Sequence, residues 1–227
     1  MFGVHVRPTL VRRLLAELDP SGSQRGIRKL RRRLRPQYNV AGPRSLYHCD
    51  AHEKLAHKWL IWFHGCVDGH SRKVIYLQAR DNKRSAVVRD IYLDGMRREG
   101  WSSRTRWDKG SENVLAIREQ VNRHLDQDVP ASGARGSALT GRSIDNTRME
   151  GQWRYTREQV TDQVDDCFEG MHRTSKVLNP DDPHHMFCLH AVFLHPMWHG
   201  DGECYSVIQR ALDDMTGMWN EHPIRRR

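Results

Sequence analysis

The sequence predicts an α/β fold, a mixed β-sheet covered by helices, with a basic helical arm ahead of it and further helices behind. Three observations carry the prediction. Strand-like stretches follow one another at 46–52, 59–67 and 73–79, and Asp68-Gly-His-Ser71 between the last two is a turn sequence of the hairpin type. Amphipathic helical stretches then alternate with a further strand, the order that builds a sheet with helices laid on it. No segment approaches the roughly 18 consecutive apolar residues that a membrane span needs, so no membrane partner is expected.

Taken in order, residues 8–18 place Leu10, Val11, Leu14, Leu15 and Leu18 on one helical stripe, closed by Asp19-Pro-Ser-Gly22. Residues 23–34 form a second helix with Ile27, Leu30 and Leu34 on one face and arginines on the other. The pair could be a remnant of a helix-turn-helix reader. Residues 38–43 (YNVAGP) read as a linker. The strand at 59–67 (WLIWFHGCV) is continuously apolar, whereas the one at 73–79 (KVIYLQA) alternates. Val87, Val88, Ile91, Tyr92 and Met96 give helical periodicity over 85–99, and Gly100 caps it. A short strand at 103–107 ends at Asp108, and 113–125 is helical. Residues 130–141 form a Gly/Ser/Ala-rich loop, and a helix bearing Met149, Trp153 and Val160 runs from 144 to about 164. Asn179-Pro-Asp-Asp-Pro183 opens a C-terminal part with helices at 185–195 and 205–219, expected to pack back on the core. The expected domains are 1–43, 44–170 and 171–227.

Charge narrows the class of partner. The net charge is +9, and residues 1–45 hold 11 Lys/Arg against Glu17 and Asp19, so the remainder is balanced. The densest stretch holds Arg25, Arg28, Lys29, Arg31, Arg32, Arg33 and Arg35. Clustered arginine binds phosphates through counterion release, independently of sequence; a solvated helix face or a localisation signal is the plainer reading. Five scattered cysteines suit a reducing compartment, and residues 1–18 are too often broken by Arg and Pro for a signal peptide. The expectation is an intracellular protein, nuclear in a eukaryotic host.

Three acids stand at the edges of predicted elements: Asp50 in LYHCDAH, Asp108 in TRWDKGSEN and Glu150 in SIDNTRMEGQW. Magnesium takes oxygen ligands, usually one or two carboxylates completed by phosphate oxygens and water. Two such ions can activate an attacking hydroxyl and stabilise a leaving oxygen. Two strand-borne aspartates and a helix-borne glutamate meet that need, although among 28 acids three such positions are unremarkable by themselves.

The flanking residues add to this. YHCDAHEKL (47–55), FHGCVDGHSRKVIYL (63–77), RWDKGSENV (106–114), TGRSIDNTRMEGQW (140–153), FCLHAVFLHP (187–196) and WNEHPIR (219–225) occur in one order across most of 38–225. Together they resemble the integrase core domain of the DDE transposase and retroviral integrase superfamily, and more closely the transposon-derived integrase core-domain proteins of fungal and animal genomes. The resemblance implies an RNase H-like sheet, with three antiparallel strands and then parallel ones. It implies that Asp50, Asp108 and Glu150 are the catalytic and metal-binding Asp, Asp and Glu, with a pair of Mg²⁺ or Mn²⁺ ions, DNA as substrate and homo-oligomers on DNA. Trp107, Ala51, His52 and Gly151 depart from the family pattern, and Gly151 costs its helix roughly 1 kcal/mol. The expected activity is metal-dependent DNA cleavage and strand transfer; the alternative is an inactive, domesticated or decayed integrase fold that binds nucleic acid.

Other residues carry two readings. Lys109, Gly110 and Asn113 form either an open loop beside the metals or a cap on the next helix. Arg142, Arg148 and Arg154 either track a phosphate backbone or line a solvated face. Asp68 reads as a turn residue, and Trp59, Trp62, Trp153 and Trp219 as core. His184, His185, Cys188, His190, His195, His199 and Cys204 crowd one region, but no CxxC or HExxH spacing supports zinc.

Overall fold

The computed structural model describes residues 8–19, 39–127, 131–142, 146–174, 176–198 and 204–222. They belong to two compact units, Met1–Asn39 and Val40–Arg227. In the first, helix α1 (Pro8–Leu18) has the predicted bounds, exposes Leu14, Leu15 and Leu18, and pairs Arg13 with Glu17 one turn on at 3.1 Å. The predicted helix at 23–34, with its basic cluster from Arg25 to Arg35, lies outside the described residues.

The second unit is built on strands β1 (Tyr47–His52), β2 (Trp62–Asp68), β3 (Val74–Arg80), β4 (Thr105–Asp108) and β5 (Ala138–Gly141), in the order β3-β2-β1-β4-β5. β1 to β3 pair antiparallel, and β1–β4 and β4–β5 pair parallel. This is the mixed, RNase H-like arrangement that the sequence implied. In chain order the helices are α2 (Ala56–Trp59), α3 (Ser85–Glu99), α4 (Val114–Leu125), α5 (Ala131–Arg135) and α6 (Thr147–Thr156). A π-turn at Arg157–Thr161 leads into α7 (Asp162–Arg173); α8 (Pro183–Leu189) ends in a second π-turn, His190–Leu194, and α9 (Val207–Glu221) closes the fold.

Strand alternation gives the sheet two apolar faces. Tyr47, Cys49, Cys66, Tyr76 and Trp107 pack under Val88, Ile91, Tyr92 and Met96 of α3. Phe63, Val67, Leu77 and Ala79 face the other way, onto Met149 and Trp153 of α6, Phe168 of α7 and Ile208, Leu212 and Met215 of α9. Helix α9 also closes the free edge of β3. The Gln209 amide accepts from Ala79 N–H (3.0 Å) and donates to the Leu77 carbonyl (2.9 Å), and Asn220 does the same at Val74 (2.8 and 3.1 Å). Side-chain amides thereby satisfy an edge that would otherwise offer itself for pairing. No helix among the described residues is long and apolar enough to cross a membrane.

Several predicted elements are corrected. The stretch 130–141 is not a loop but α5 followed by β5, and its small residues are small because Ala134 and Ser137 are buried. Trp59 ends helix α2 instead of starting a strand; Leu60 reverses the chain at φ 54° and β2 begins at Trp62. Both Trp59 and Phe63 are buried, so a continuous apolar run could not show where helix gives way to strand. The helix at 144–164 is α6, a π-turn and α7, and it runs on to Arg173. The helix at 185–195 begins at Pro183, capped by Asp182 accepting from His184 N–H, and ends in a π-turn. A two-residue hairpin, β6 (Met197–Trp198) with β7 (Cys204–Tyr205), was not foreseen. Asp68 is a turn residue as read: its carboxylate accepts from His70 N–H (2.8 Å) and Arg44 N–H (3.0 Å).

Candidate active site

Asp50 and Asp108 come to corresponding places on neighbouring strands. Tyr47 pairs with Thr105 and His48 with Arg106, and the same register carried two residues on brings Asp50 level with Asp108. Both lie on the sheet face opposite the Tyr47–Cys49–Trp107 cluster. Trp107, a departure from the family pattern, is therefore core: it is 2% exposed, donates to Thr105 Oγ1 (2.9 Å) and meets Tyr92 edge-on. Asn113 does not cap α4 with its side chain. Its Nδ2 turns back to Asp108 Oδ1 at 2.5 Å, so the loop after the second aspartate is held to it.

Helix α6 lies over this face and is pinned to β1 at two points. Asn146, ahead of its first turn, is buried; its Nδ2 donates to the Cys49 carbonyl (2.8 Å) and its Oδ1 meets His48 Nδ1 (2.6 Å). Trp153 Nε1 donates to Asp50 Oδ2 at 3.0 Å, and its ring stacks on His52, another departure, at 5.3 Å and 17°. Asn146, Glu150 and Trp153 are spaced four and three residues apart, which puts them on one helical face. Glu150 thus sits between the two anchors, although its own side chain is exposed.

Gly65 makes the close approach of α6 possible. It pairs with Asp50 across the β1–β2 ladder, so a side chain there would point the same way. A Cβ at Gly65 would come within 2.7 Å of Trp153 Cη2 and 2.8 Å of Met149 Cε. Gly151 is different, because a Cβ there meets nothing within 4 Å. Gly151→Ala should therefore stabilise α6 by roughly 0.5–1 kcal/mol, measured by urea denaturation, without disturbing the site; a loss of stability would show that the exposed helix surface has an unseen contact.

Burial dominates the electrostatics, and neighbouring carboxylates add to it. Burial pushes the Asp50 carboxyl up from 3.8 to about 6; the Trp153 bond opposes this, and the charges of Asp108 and Glu150 add to it. His48, fully buried beside it, is held down at about 4, chiefly by burial. Among the described residues no three His, Cys, Asp or Glu side chains stand close enough to hold a metal ion by themselves. On the rim, Lys83 Nζ pairs with Glu53 (2.7 Å) and lies 4.0 Å from Glu112, linking the segments that follow β1, β3 and β4.

The basic residues predicted near the site are placed as follows. Lys109, Arg142 and Arg154 are exposed. Arg148 is half-buried, and its Nε donates to the Gly69 carbonyl at 3.1 Å, tying α6 to the β2–β3 turn. The arm arginines are outside the described residues. His185 Nδ1 accepts from Asn179 N–H (3.0 Å) and His190 Nε2 bonds the Trp59 carbonyl (2.9 Å), so both serve the C-terminal packing. Sequence reasoning missed Asn146, Gly65 and Lys83, and treated Trp153 as core only. The helical spacing of Asn146, Glu150 and Trp153 was the signal available for two of them.

Residues 37–227 match the family profile described as "Integrase core domain". No curated protein matches the sequence. Similar solved structures include the HTLV-2 integrase catalytic core domain in complex with magnesium. Its trimeric form has TM-score 0.43 and 13% identity, covering 75% of this chain and 99% of that one. Its dimeric form has TM-score 0.42 and 14% identity, covering 73% and 96%. Another is the simian T-cell lymphotropic virus intasome in complex with PP2A regulatory subunit B56 gamma, with TM-score 0.42, 13% identity and coverage of 83% and 59%.

Proposed function

Since the chain belongs to the integrase core domain family, we propose that it is a metal-dependent polynucleotidyl transferase that cleaves DNA and joins strands, with Asp50, Asp108 and Glu150 as its acids. The observation that supports this reading is the register match of Asp50 and Asp108 on neighbouring strands, with the charge of Glu150 near enough to be felt at Asp50. Hard carboxylate oxygens are the donors that magnesium or manganese prefers. Burial, with the charges of Asp108 and Glu150 added, disfavours the Asp50 carboxylate, and a bound divalent cation would offset both. Asp50 and Asp108 would hold such an ion and Glu150 would complete the set, with phosphate oxygens and water filling the other positions. A bound ion supplies Lewis acidity at the phosphoryl oxygen. The chain's own part is to orient: β1 and β4 fix the aspartates, Asn113 restrains Asp108, and α6 carries the glutamate. Exposed Lys109, Arg142 and Arg154, with the arm from Arg25 to Arg35, supply the charge that neutralises DNA phosphates. Arg148 acts there only if it releases Gly69.

Asp108→Asn keeps an acceptor for Asn113 and should leave the fold intact. It should lower Mg²⁺-dependent nicking and joining of a labelled duplex by about a thousandfold, the rate equivalent of ~4 kcal/mol. Unchanged rates would sink the catalytic assignment. A second reading, DNA binding without turnover, draws support from the exposed Glu150 and from the absence of three gathered ligands among the described residues. It predicts binding that survives EDTA, weakens steeply with salt and yields no metal-dependent product.

A further inference from the structure

We infer that Trp153 is a positioning residue that orients the Asp50 carboxylate toward a divalent metal ion, and that β2 carries glycine at position 65 so that the indole can reach it. The inference rests on the reading of Asp50 as a metal ligand and adds the group that prepares it.

The geometry is specific. An indole N–H only donates, so at 3.0 Å from Asp50 Oδ2 it fixes the carboxylate without competing with it for a cation. The ring has little freedom to move: His52 stacks on one side, and the sheet lies so close that a Cβ at Gly65 would overlap Cη2. Buried indoles generally find an acceptor; what sets Trp153 apart is that its acceptor is a candidate metal ligand. Trp59, Trp107 and Trp219 donate instead to Asp165, Thr105 and the Arg72 carbonyl. Trp153 also follows Glu150 by three residues on one helix face, so the bond that sets Asp50 sets the distance of the glutamate's helix from β1. Carboxylates that ligate metals are themselves held by hydrogen bonds, and loss of the outer partner typically weakens metal binding about 10- to 100-fold.

The test uses the full chain and the metal alone. In the ¹⁵N–¹H spectrum of its seven tryptophan indoles, the resonance assigned to Trp153 through the bonded network should shift with Mg²⁺ and be broadened first by Mn²⁺. Asp50→Asn should abolish both responses. Trp153→Phe, with the circular dichroism of wild type, should weaken Mn²⁺ binding about tenfold and raise the half-saturating metal concentration for cleavage by the same factor. It should leave the rate at saturating metal much less affected. A Trp153 resonance unmoved by either ion, while Asp50→Asn abolishes Mn²⁺ binding, overturns the inference and leaves the metal reading standing. If neither Asp50→Asn nor Asp108→Asn changes Mn²⁺ binding, the metal reading fails and takes this inference with it. Should Trp153→Phe not fold, the wild-type titration decides alone.

Discussion

Asp50→Asn protein is expected to be more stable than wild type at pH 7.5, by on the order of 2 kcal/mol, while losing metal-dependent cleavage. Burial, Asp108 and Glu150 raise the folded-state carboxyl from 3.8 to about 6 against the Trp153 bond. A raised folded pKa means that the native state holds the proton more tightly than the unfolded chain. The stability this contributes is complete below the unfolded value and is lost as pH rises through about 6. At pH 7.5 wild type therefore carries an ionised, crowded carboxylate. Asparagine has the same shape, can still accept from Trp153 and carries no charge, so the penalty disappears. In a chain of this size the gain corresponds to a melting temperature roughly 4–8 °C higher.

His48 gives the same experiment a second signature. Its folded pKa is lowered to about 4, so its contribution is fully present above 6.5 and lost as pH falls through about 4. Between those values Asp50 and His48 tilt stability in opposite directions. With Asp50 gone, His48 acts unopposed, and stability should climb with pH from about 4 to 6.5 more steeply than in wild type. Urea denaturation at pH 4.5, 6 and 7.5 checks both statements. Mg²⁺ should stabilise wild type and leave Asp50→Asn unmoved. A variant no more stable than wild type at pH 7.5 would remove the electrostatic argument for a metal.

Much of the fold was legible because its elements announce their own periods. Helices α1 and α3 have the predicted bounds, and Gly100 caps α3 with φ 86° as a glycine can. β5 was not legible: four residues of middling burial leave no alternation to read, and their pairing with β4 is a tertiary fact. The breaks at Leu60 and at both π-turns were hidden for a related reason, since buried side chains lie on either side of each. At the site, the acids were visible as residue types in a recognisable context. What holds them was not. Trp107 looked like an intrusion and is core, and His52 looked like an intrusion and supports Trp153. Gly151 looked like a weakness in the glutamate's scaffold, yet the scaffold is held on either side of it, at Asn146 and Trp153.

Asn146→Ala tests that last point most severely. The side chain is 1% exposed and joins α6 to β1 through His48 Nδ1 and the Cys49 carbonyl, the residue beside Asp50. Alanine removes both bonds from buried groups, at about 1–3 kcal/mol each, so a total loss of roughly 2–6 kcal/mol is expected. That is survivable in a domain with about 5–15 kcal/mol to lose. The helix would remain helical, because the Glu150 N–H bonds the backbone carbonyl of residue 146 and not its side chain. Its first turn, which carries Glu150, would no longer be fixed to the sheet. Mn²⁺ affinity and cleavage should therefore fall together, while Gly151→Ala, added to the same protein, should recover stability but not metal binding. Asn146→Asp should fare no better, since a carboxylate cannot donate to Cys49 and would be buried beside Asp50. A stability loss under about 0.5 kcal/mol, or full metal binding in Asn146→Ala, would mean that Trp153 alone sets the helix against the aspartates.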